Sequence, residues 1–280
     1  MSFIAVIGDV HHHIALAAEG LERMEEQFGV NIDQVFAVGD LGLFLDEADW
    51  GFLTGPKKYR QPEATPAIRT AWENWRWPLS TIAGNHEPFN RLREWDPAYF
   101  GGKLEYTDAG ELAHRVSGLR VAGLSGIYHP QNEEFVTTID SRAIKSQGVG
   151  SWPEMRTLAQ EKKISISRLT YYKEAEVQRL KNLDFSPDLL LLHDWPITPP
   201  HVTQIYSRRP EAEIVSALRP PFVCCGHHHT AASFLLGRTH VIGLNIIARE
   251  AVHYRPINPG WAALFEWNGS TLAFLYTWPE

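Results

Sequence analysis

The sequence predicts an α/β fold built on parallel strands, and three observations predict it. First, short apolar runs such as Phe3-Ile4-Ala5-Val6-Ile7 and Leu189-Leu190-Leu191-Leu192 lack the alternation of a half-exposed strand. They read as strands buried on both faces. Second, the opening run is followed by an amphipathic helical stretch and then by another run, which is the βαβ pattern. Third, several runs stop at a glycine followed by polar residues. Open parallel sheets collect their functional groups there, beyond the carboxyl ends of the strands.

Each element follows from local pattern. After residues 3–7 come Gly8 and Asp9-Val10-His11-His12-His13. Ile14, Ala17, Ala18, Leu21, Met24 and Phe28 then recur at helical spacing, with Glu19, Glu22, Glu25 and Glu26 between them. Val35-Phe36-Ala37-Val38 is the next strand, ending at Gly39-Asp40. Residues 42–78 are less regular. Asp46-Glu47-Ala48-Asp49 and Lys57-Lys58-Tyr59-Arg60 read as surface. Trp72, Trp75 and Trp77 are either a base-stacking platform or, the favoured reading, core packing. Residues 79–83 form a short strand ahead of Gly84-Asn85-His86-Glu87.

Residues 114–116 and 119–124 flank Ser117-Gly118 as an expected hairpin. Residues 129–167 hold few long apolar runs and read as a surface insertion. Leu169, Tyr172, Val177, Leu180 and Leu183 restore a helix, and residues 189–192 form a strand ending at His193-Asp194. A short helix around Ala212, Val215 and Leu218 precedes the strand Phe222-Val223-Cys224-Cys225, which ends at Gly226-His227-His228-His229. The tail, 233–280, is strand-like. It turns at Gly237-Arg238 and again at Asn268-Gly269, a strong hairpin signal.

The length of 280 residues suits one domain, 1–280, with no repeat and no Gly/Ser linker. A net charge of −7 argues against a protein that coats nucleic acid by charge alone, but not against one that grips a phosphate through metals. Cys224 and Cys225 are neighbours in an apolar run, so they read as reduced and buried in a reducing compartment. The first apolar run is too short for a secretory signal, and no later run is long enough to span a membrane. The expected location is cytoplasmic, and the oligomeric state is left open.

The chemistry sits at five strand ends: Asp9 with His11, Asp40, Asn85 with His86, His193, and His227 with His229. The donors are oxygen and imidazole nitrogen, with no thiolate. That set suits Mn, Fe, Zn, Co or Ni, and argues against calcium, which prefers oxygen alone. One histidine after a strand is more often a satisfied residue than a ligand, but five loaded strand ends in one chain outweigh that reading. His12, His13 and His228 neighbour these positions and read as supports or exposed residues.

This ordered set resembles the calcineurin-like metallophosphoesterase superfamily: Asp-x-His, Gly-Asp, Gly-Asn-His-Glu, a lone His, then Gly-His-x-His, between Gly8 and His229. The resemblance implies a four-layer αββα sandwich and two divalent metal ions. It implies that Asp9, His11, Asp40 and His229 hold one metal. Asp40, Asn85, His193 and His227 would hold the other, with Asp40 bridging. It implies attack on phosphorus by a metal-bridged hydroxide, with His86 as the general acid toward the leaving group.

The chain is also similar to RNA lariat debranching enzymes. They carry Glu-Ala-Asp and Lys-Tyr-Arg, as at Glu47-Ala48-Asp49 and Lys58-Tyr59-Arg60 here; Gly-Ile-Ser-Gly-Ile-Tyr, where this chain has Gly123-Leu124-Ser125-Gly126-Ile127-Tyr128; and Ser-His-Asp-Trp-Pro, where it has His193-Asp194-Trp195-Pro196, over roughly residues 3–235. It departs from them at Asp9, where they commonly carry Cys, and near Gly42, where they carry Gln. The protein phosphatase signature is absent, because Leu41-Gly42-Leu43 follows Asp40. The expected function is a phosphodiesterase acting on RNA or nucleotides. Alternatives are a phosphomonoesterase or nucleotide pyrophosphatase, and a non-catalytic metal-binding scaffold. Tyr128 and His129 are the expected substrate contacts. Lys145, Arg156, Lys162, Lys163 and Arg168 meet phosphates or form a solvated face.

Overall fold

The computed structural model describes residues 1–55, 57–93, 95–129, 152–162, 164–198, 209–248 and 257–278. Two six-stranded sheets form the frame. The first holds β1 (Ser2–Ile7), β2 (Ile32–Ala37), β3 (Leu79–Thr81), β4 (Leu104–Tyr106), β11 (Ala262–Trp267) and β12 (Leu272–Trp278), in the order β12-β11-β1-β2-β3-β4. The second holds β5 (Ala109–Glu111), β6 (Val121–Leu124), β7 (Leu189–Leu192), β8 (Phe222–Cys225), β9 (Ala232–Leu236) and β10 (Thr239–Gly243), in the order β5-β6-β7-β8-β10-β9.

The unbroken apolar runs have a physical reason. Alternate side chains of each central strand face two different cores. Ile4, Val6, Phe36, Val38 and Ile82 meet Val121, Leu189, Leu191, Cys224 and Ile242 between the sheets. The intervening Ala5, Ile7, Val35 and Ala37 pack outward on Leu21 and Met24 of the helix Ile14–Phe28 and on Ile68 and Trp72 of the helix Thr65–Glu73. On the far side, Ala122, Leu190, Leu192 and Val223 meet Val177 and Leu180 of the helix Glu174–Lys181. They also meet Ile214, Val215 and Leu218 of the helix Pro210–Leu218. The layers are therefore α, β, β, α, as expected.

β1, β2, β3 and β4 run parallel in the first sheet, and β6, β7, β8 and β10 in the second. Their carboxyl ends carry the loaded loops. The tail belongs to the frame: β11 pairs antiparallel with β1, and β10 pairs parallel with β8.

Four expectations are corrected or decided. The hairpin strand lies at Ala109–Glu111, not at 114–116, and pairs with β6 across a longer connection. Within 129–167, the helix Trp152–Gln160 buries Met155, Leu158 and Ala159 in the first outer core, so this part is no surface insertion. Residues 130–151 lie outside the described set. Asp49, read as surface, is fully buried and accepts bonds from Asn90, Arg91 and Tyr99. Trp72, Trp75 and Trp77 are all buried against one another, so they are core and no stacking platform.

Candidate metal centre

The loops after β1, β2 and β3 meet those after β7 and β8 at one end of the sandwich. They meet under strain. Among the described residues seven non-glycine residues have positive φ, and five are here: His11, His12, Asp40, His227 and His229. Side chains rarely adopt this region, and such strain clusters at functional sites. Glycine makes the close approach possible. A Cβ on Gly84 would stand 2.0 Å from Asp40 Oδ1, and one on Gly226 would stand 2.2 Å from Asp9 Oδ1.

Asp9, His11 and His229 form a first group, with one donor atom from each within 4.8 Å of the others. His229 Nε2 lies 3.0 Å from Asp9 Oδ2, and the two Nε2 atoms of His11 and His229 face each other at 3.2 Å. The Asp9 carboxylate is fully buried and is held by the backbone N–H of His227. Burial pushes the His11 imidazole down to about 4, despite Asp40 and Asp9 beside it. A neutral imidazole offers the lone pair that a metal needs.

His193, Asn85 and Asp40 form a second group. His193 donates Nδ1–H to the Val38 carbonyl at 2.8 Å, which leaves Nε2 as a lone pair. That lone pair faces two more acceptors: Asn85 Oδ1 at 3.2 Å and Asp40 Oδ2 at 3.5 Å. Three acceptors converging on one buried point demand a cation. Burial disfavours a proton on His193, yet Asp40 and Asp9 outweigh it and push the imidazole up to about 10. A divalent ion meets the same demand with His193 neutral, so the donor set fits a metal.

Asp40 joins the groups. Its Oδ1 accepts from the His86 backbone N–H at 2.6 Å. Its Oδ2 is buried without a hydrogen-bond partner, 3.6 Å from His11 Nε2 and 3.5 Å from His193 Nε2. His227 stands at the edge of the second group. Its ring is 5.1 Å from that of His193, while its donor atom also clusters with Asp194 and His228. His228 in turn bonds Asp194 at 3.1 Å, which fits the supporting role expected for His228. His12 and His13 pack ring on ring, and burial pushes both below the usual range.

Two supports were missed by the sequence reading. Glu87 accepts from the backbone N–H groups of Leu41 and Gly42 at 3.0 and 3.1 Å, so it clamps the Asp40 loop. Thr54 accepts from His86 Nδ1 through its carbonyl at 3.0 Å, while its hydroxyl donates to the Asn85 carbonyl. Polar character just after the ligand motif was a signal for Glu87. A backbone carbonyl leaves none.

A cavity of about 710 Å³ opens over this centre. His11, His86 and His229 line its polar side, and Phe44, Leu53, Tyr59 and Ile246 its apolar side. Tyr128 and His129 are not in its wall. Tyr128 is buried in the second outer core, and the His129 ring stacks on Tyr171 at 4.6 Å. Ile127, next to them, forms an isolated bridge with Tyr171. Arg156 donates to the Asn90 carbonyl and Arg168 is buried, so neither forms a solvated face. Lys145 and Lys163 lie outside the described residues.

A family model described as calcineurin-like phosphoesterase matches residues 4–231. The chain belongs to the calcineurin-like phosphoesterase family. This phosphoesterase is 26% identical over 274 residues to the lariat debranching enzyme of Entamoeba histolytica, covering 90% of this chain and 71% of that one. It is 25% identical over 198 residues to that of Arabidopsis thaliana, covering 69% and 42%. It is 28% identical over 200 residues to that of Caenorhabditis briggsae, covering 69% and 36%. The chain thus spans less than half of the plant and nematode relatives. The match to the amoebal enzyme covers more of the chain than the expected residues 3–235. Among the described residues, no helix is long and apolar enough to cross a membrane.

Proposed function

We propose that this phosphoesterase is a dinuclear-metal phosphodiesterase acting on RNA or nucleotide diesters, in the manner of a debranching enzyme. The observation that carries the reading is Asp40 Oδ2, a buried, unpartnered carboxylate oxygen standing between His11 Nε2 and His193 Nε2. Asp9, His11, Asp40 and His229 would hold one ion, and Asp40, Asn85, His193 and His227 the other. Bound there, the ions supply charge to neutralise the phosphate and a nucleophile at neutral pH.

The protein's own groups supply the rest. Thr54 accepts Nδ1–H of His86 and fixes the ring, so in the doubly protonated imidazolium Nε2–H is the proton given to the departing oxygen. The apolar wall of Phe44, Leu53, Tyr59 and Ile246 suits a base or sugar beside the reacting phosphate. The relatives named as lariat debranching enzymes support RNA as the substrate class.

The test is cleavage by manganese-loaded protein of a 2′–5′ branched RNA and a matched linear RNA, with His86→Ala as the blank. Cleavage of the branched RNA alone is expected. Cleavage of both would make the protein a broader nuclease. Hydrolysis of phosphomonoesters with no diester cut would overturn the reading.

A further inference from the structure

A second groove, of about 530 Å³, lies behind the wall of the metal cavity. Leu53 borders both. Thr54 and Gly55 continue that wall on the groove side, and they are the residues that touch His86. The Thr54 carbonyl accepts from His86 Nδ1, and a Cβ on Gly55 would stand 3.4 Å from His86 Cε1. The groove therefore adjoins the proton donor, which under the proposed function is the side from which the leaving group departs.

Its lining has one sign of charge. Arg60 and Lys162 bring cations, and Thr54, Ser165 and Ser167 bring hydroxyls. Among the described lining residues there is no Asp or Glu. That reverses the balance of a chain with 33 acidic and 26 basic residues. Arg60 donates one N–H to the Leu53 carbonyl at 3.3 Å, but its Nε is buried and has no hydrogen-bond partner. A buried guanidinium N–H without an acceptor is costly, and a phosphate oxygen is the acceptor that guanidinium geometry suits best. Ala159, Ile164 and Ile166 complete the lining with apolar surface, which suits a sugar or base beside that phosphate.

We infer that this groove holds the phosphate that follows the scissile one in a single-stranded nucleic acid, on the leaving-group side, with Arg60 and Lys162 as its cationic contacts. The inference rests on the phosphodiesterase reading. It goes further in naming a chain of more than one phosphate as the substrate class and Arg60 as a residue that selects it. A small diester ends short of the groove and takes nothing from it.

Fluorescence anisotropy with a labelled 2′–5′ branched RNA that carries single-stranded arms, over a range of salt concentrations, tests it. His86→Ala serves as the parent so that no cleavage occurs during the measurement. Arg60→Ala is expected to weaken binding by about tenfold. It should also lower the slope of log affinity against log salt by about 0.7, the loss of one phosphate contact on a single strand. Because Arg60 also bonds the Leu53 backbone, Lys162→Gln is the second variant. It removes the other cation of the groove lining and should lower the slope by the same amount. Arg238→Ala, on the β9–β10 turn, should change neither quantity. RNA binding that keeps its affinity and slope in both groove variants would overturn the groove and leave the phosphodiesterase reading standing. A parent that binds no RNA, while the native protein hydrolyses a small diester, would overturn it too and move the substrate to mononucleotides. If the native protein hydrolyses no diester at all, the underlying reading fails first.

Discussion

The carbonyl oxygen of Thr54 lies 3.0 Å from Nδ1 of His86. A backbone acceptor therefore stands behind this histidine. A carbonyl orients the imidazole without adding a charge beside it. The ring nitrogen Nδ1 of His86 is thus taken by Thr54, and its backbone N–H bonds Asp40. Replacing the ring should therefore separate turnover from metal binding. His86→Ala is expected to keep its full metal content by elemental analysis and to lose about 10²–10⁴-fold in kcat. Activity near the wild-type level would remove His86 from the mechanism.

Asp40 should behave in the opposite way. Its two oxygens have different duties: Oδ1 binds the backbone of the His86 loop, and Oδ2 faces both imidazole groups. Asp40→Ala is expected to lose bound metal as well as turnover, and to loosen the loop. Asp40→Asn keeps an acceptor for the His86 N–H, so it should fold like the parent and still bind less metal. Elemental analysis on both variants, with circular dichroism as the check on folding, decides the point. Two ions retained by Asp40→Asn would rule out a bridging role.

How much of this was legible depended on the kind of interaction. Asp9, His11, Asp40, Asn85, His193, His227 and His229 could be read because each follows a buried strand, four of the five strand ends passing through a glycine. The local pattern that announces the strand also announces the site. Both hairpins of the tail could be read from their turns for the same reason. The supports could not. Thr54 acts through a carbonyl, which every residue carries. The burial of Tyr128 could not be read either, because it is set by partners such as Tyr172, far along the chain. Asp49 looked exposed because its neighbours Asp46 and Glu47 are polar, but its partners Arg91 and Tyr99 lie 42 and 50 positions away.

Those partners make Asp49 a structural centre. Its carboxylate is fully buried and collects Asn90 Nδ2 at 2.7 Å, Arg91 Nε at 3.0 Å, the backbone N–H of Asp46 at 3.0 Å and the Tyr99 hydroxyl. It ties the 3₁₀ turn Glu47–Phe52 to the helix Phe89–Leu92, just beyond the His86 loop. Asp49→Ala would leave several of these donors without an acceptor. Arg91 is partly exposed and can turn to water, which limits the loss. The expected destabilisation is about 2–3 kcal/mol in urea denaturation. A change within about 0.5 kcal/mol would show that the network adds nothing to stability.

Glu211 gives a pH dependence of definite sign. Burial raises its carboxyl, and Asp194 raises it further, to about 8. Tyr172 donates its hydroxyl to Oε1 at 2.6 Å, while Oε2 has no partner. Tyr172 and Arg209 act the other way and are outweighed. Asp194 itself is held down at about 2, burial being outweighed by His228 and His227, so it stays ionised throughout. Between the ordinary value of 4.5 and the folded value of about 8, the folded protein keeps a proton that the unfolded chain has lost. Stability must then fall as pH rises across that window, and level off above it. Glu211→Gln keeps an acceptor for Tyr172 and cannot ionise. It should match the wild type near the bottom of the window, and exceed it above the top by on the order of 2–4 kcal/mol. Urea denaturation of both proteins at the two ends reads this directly. A wild type and variant whose stabilities run parallel across the window would mean that Glu211 is already ionised in the folded state.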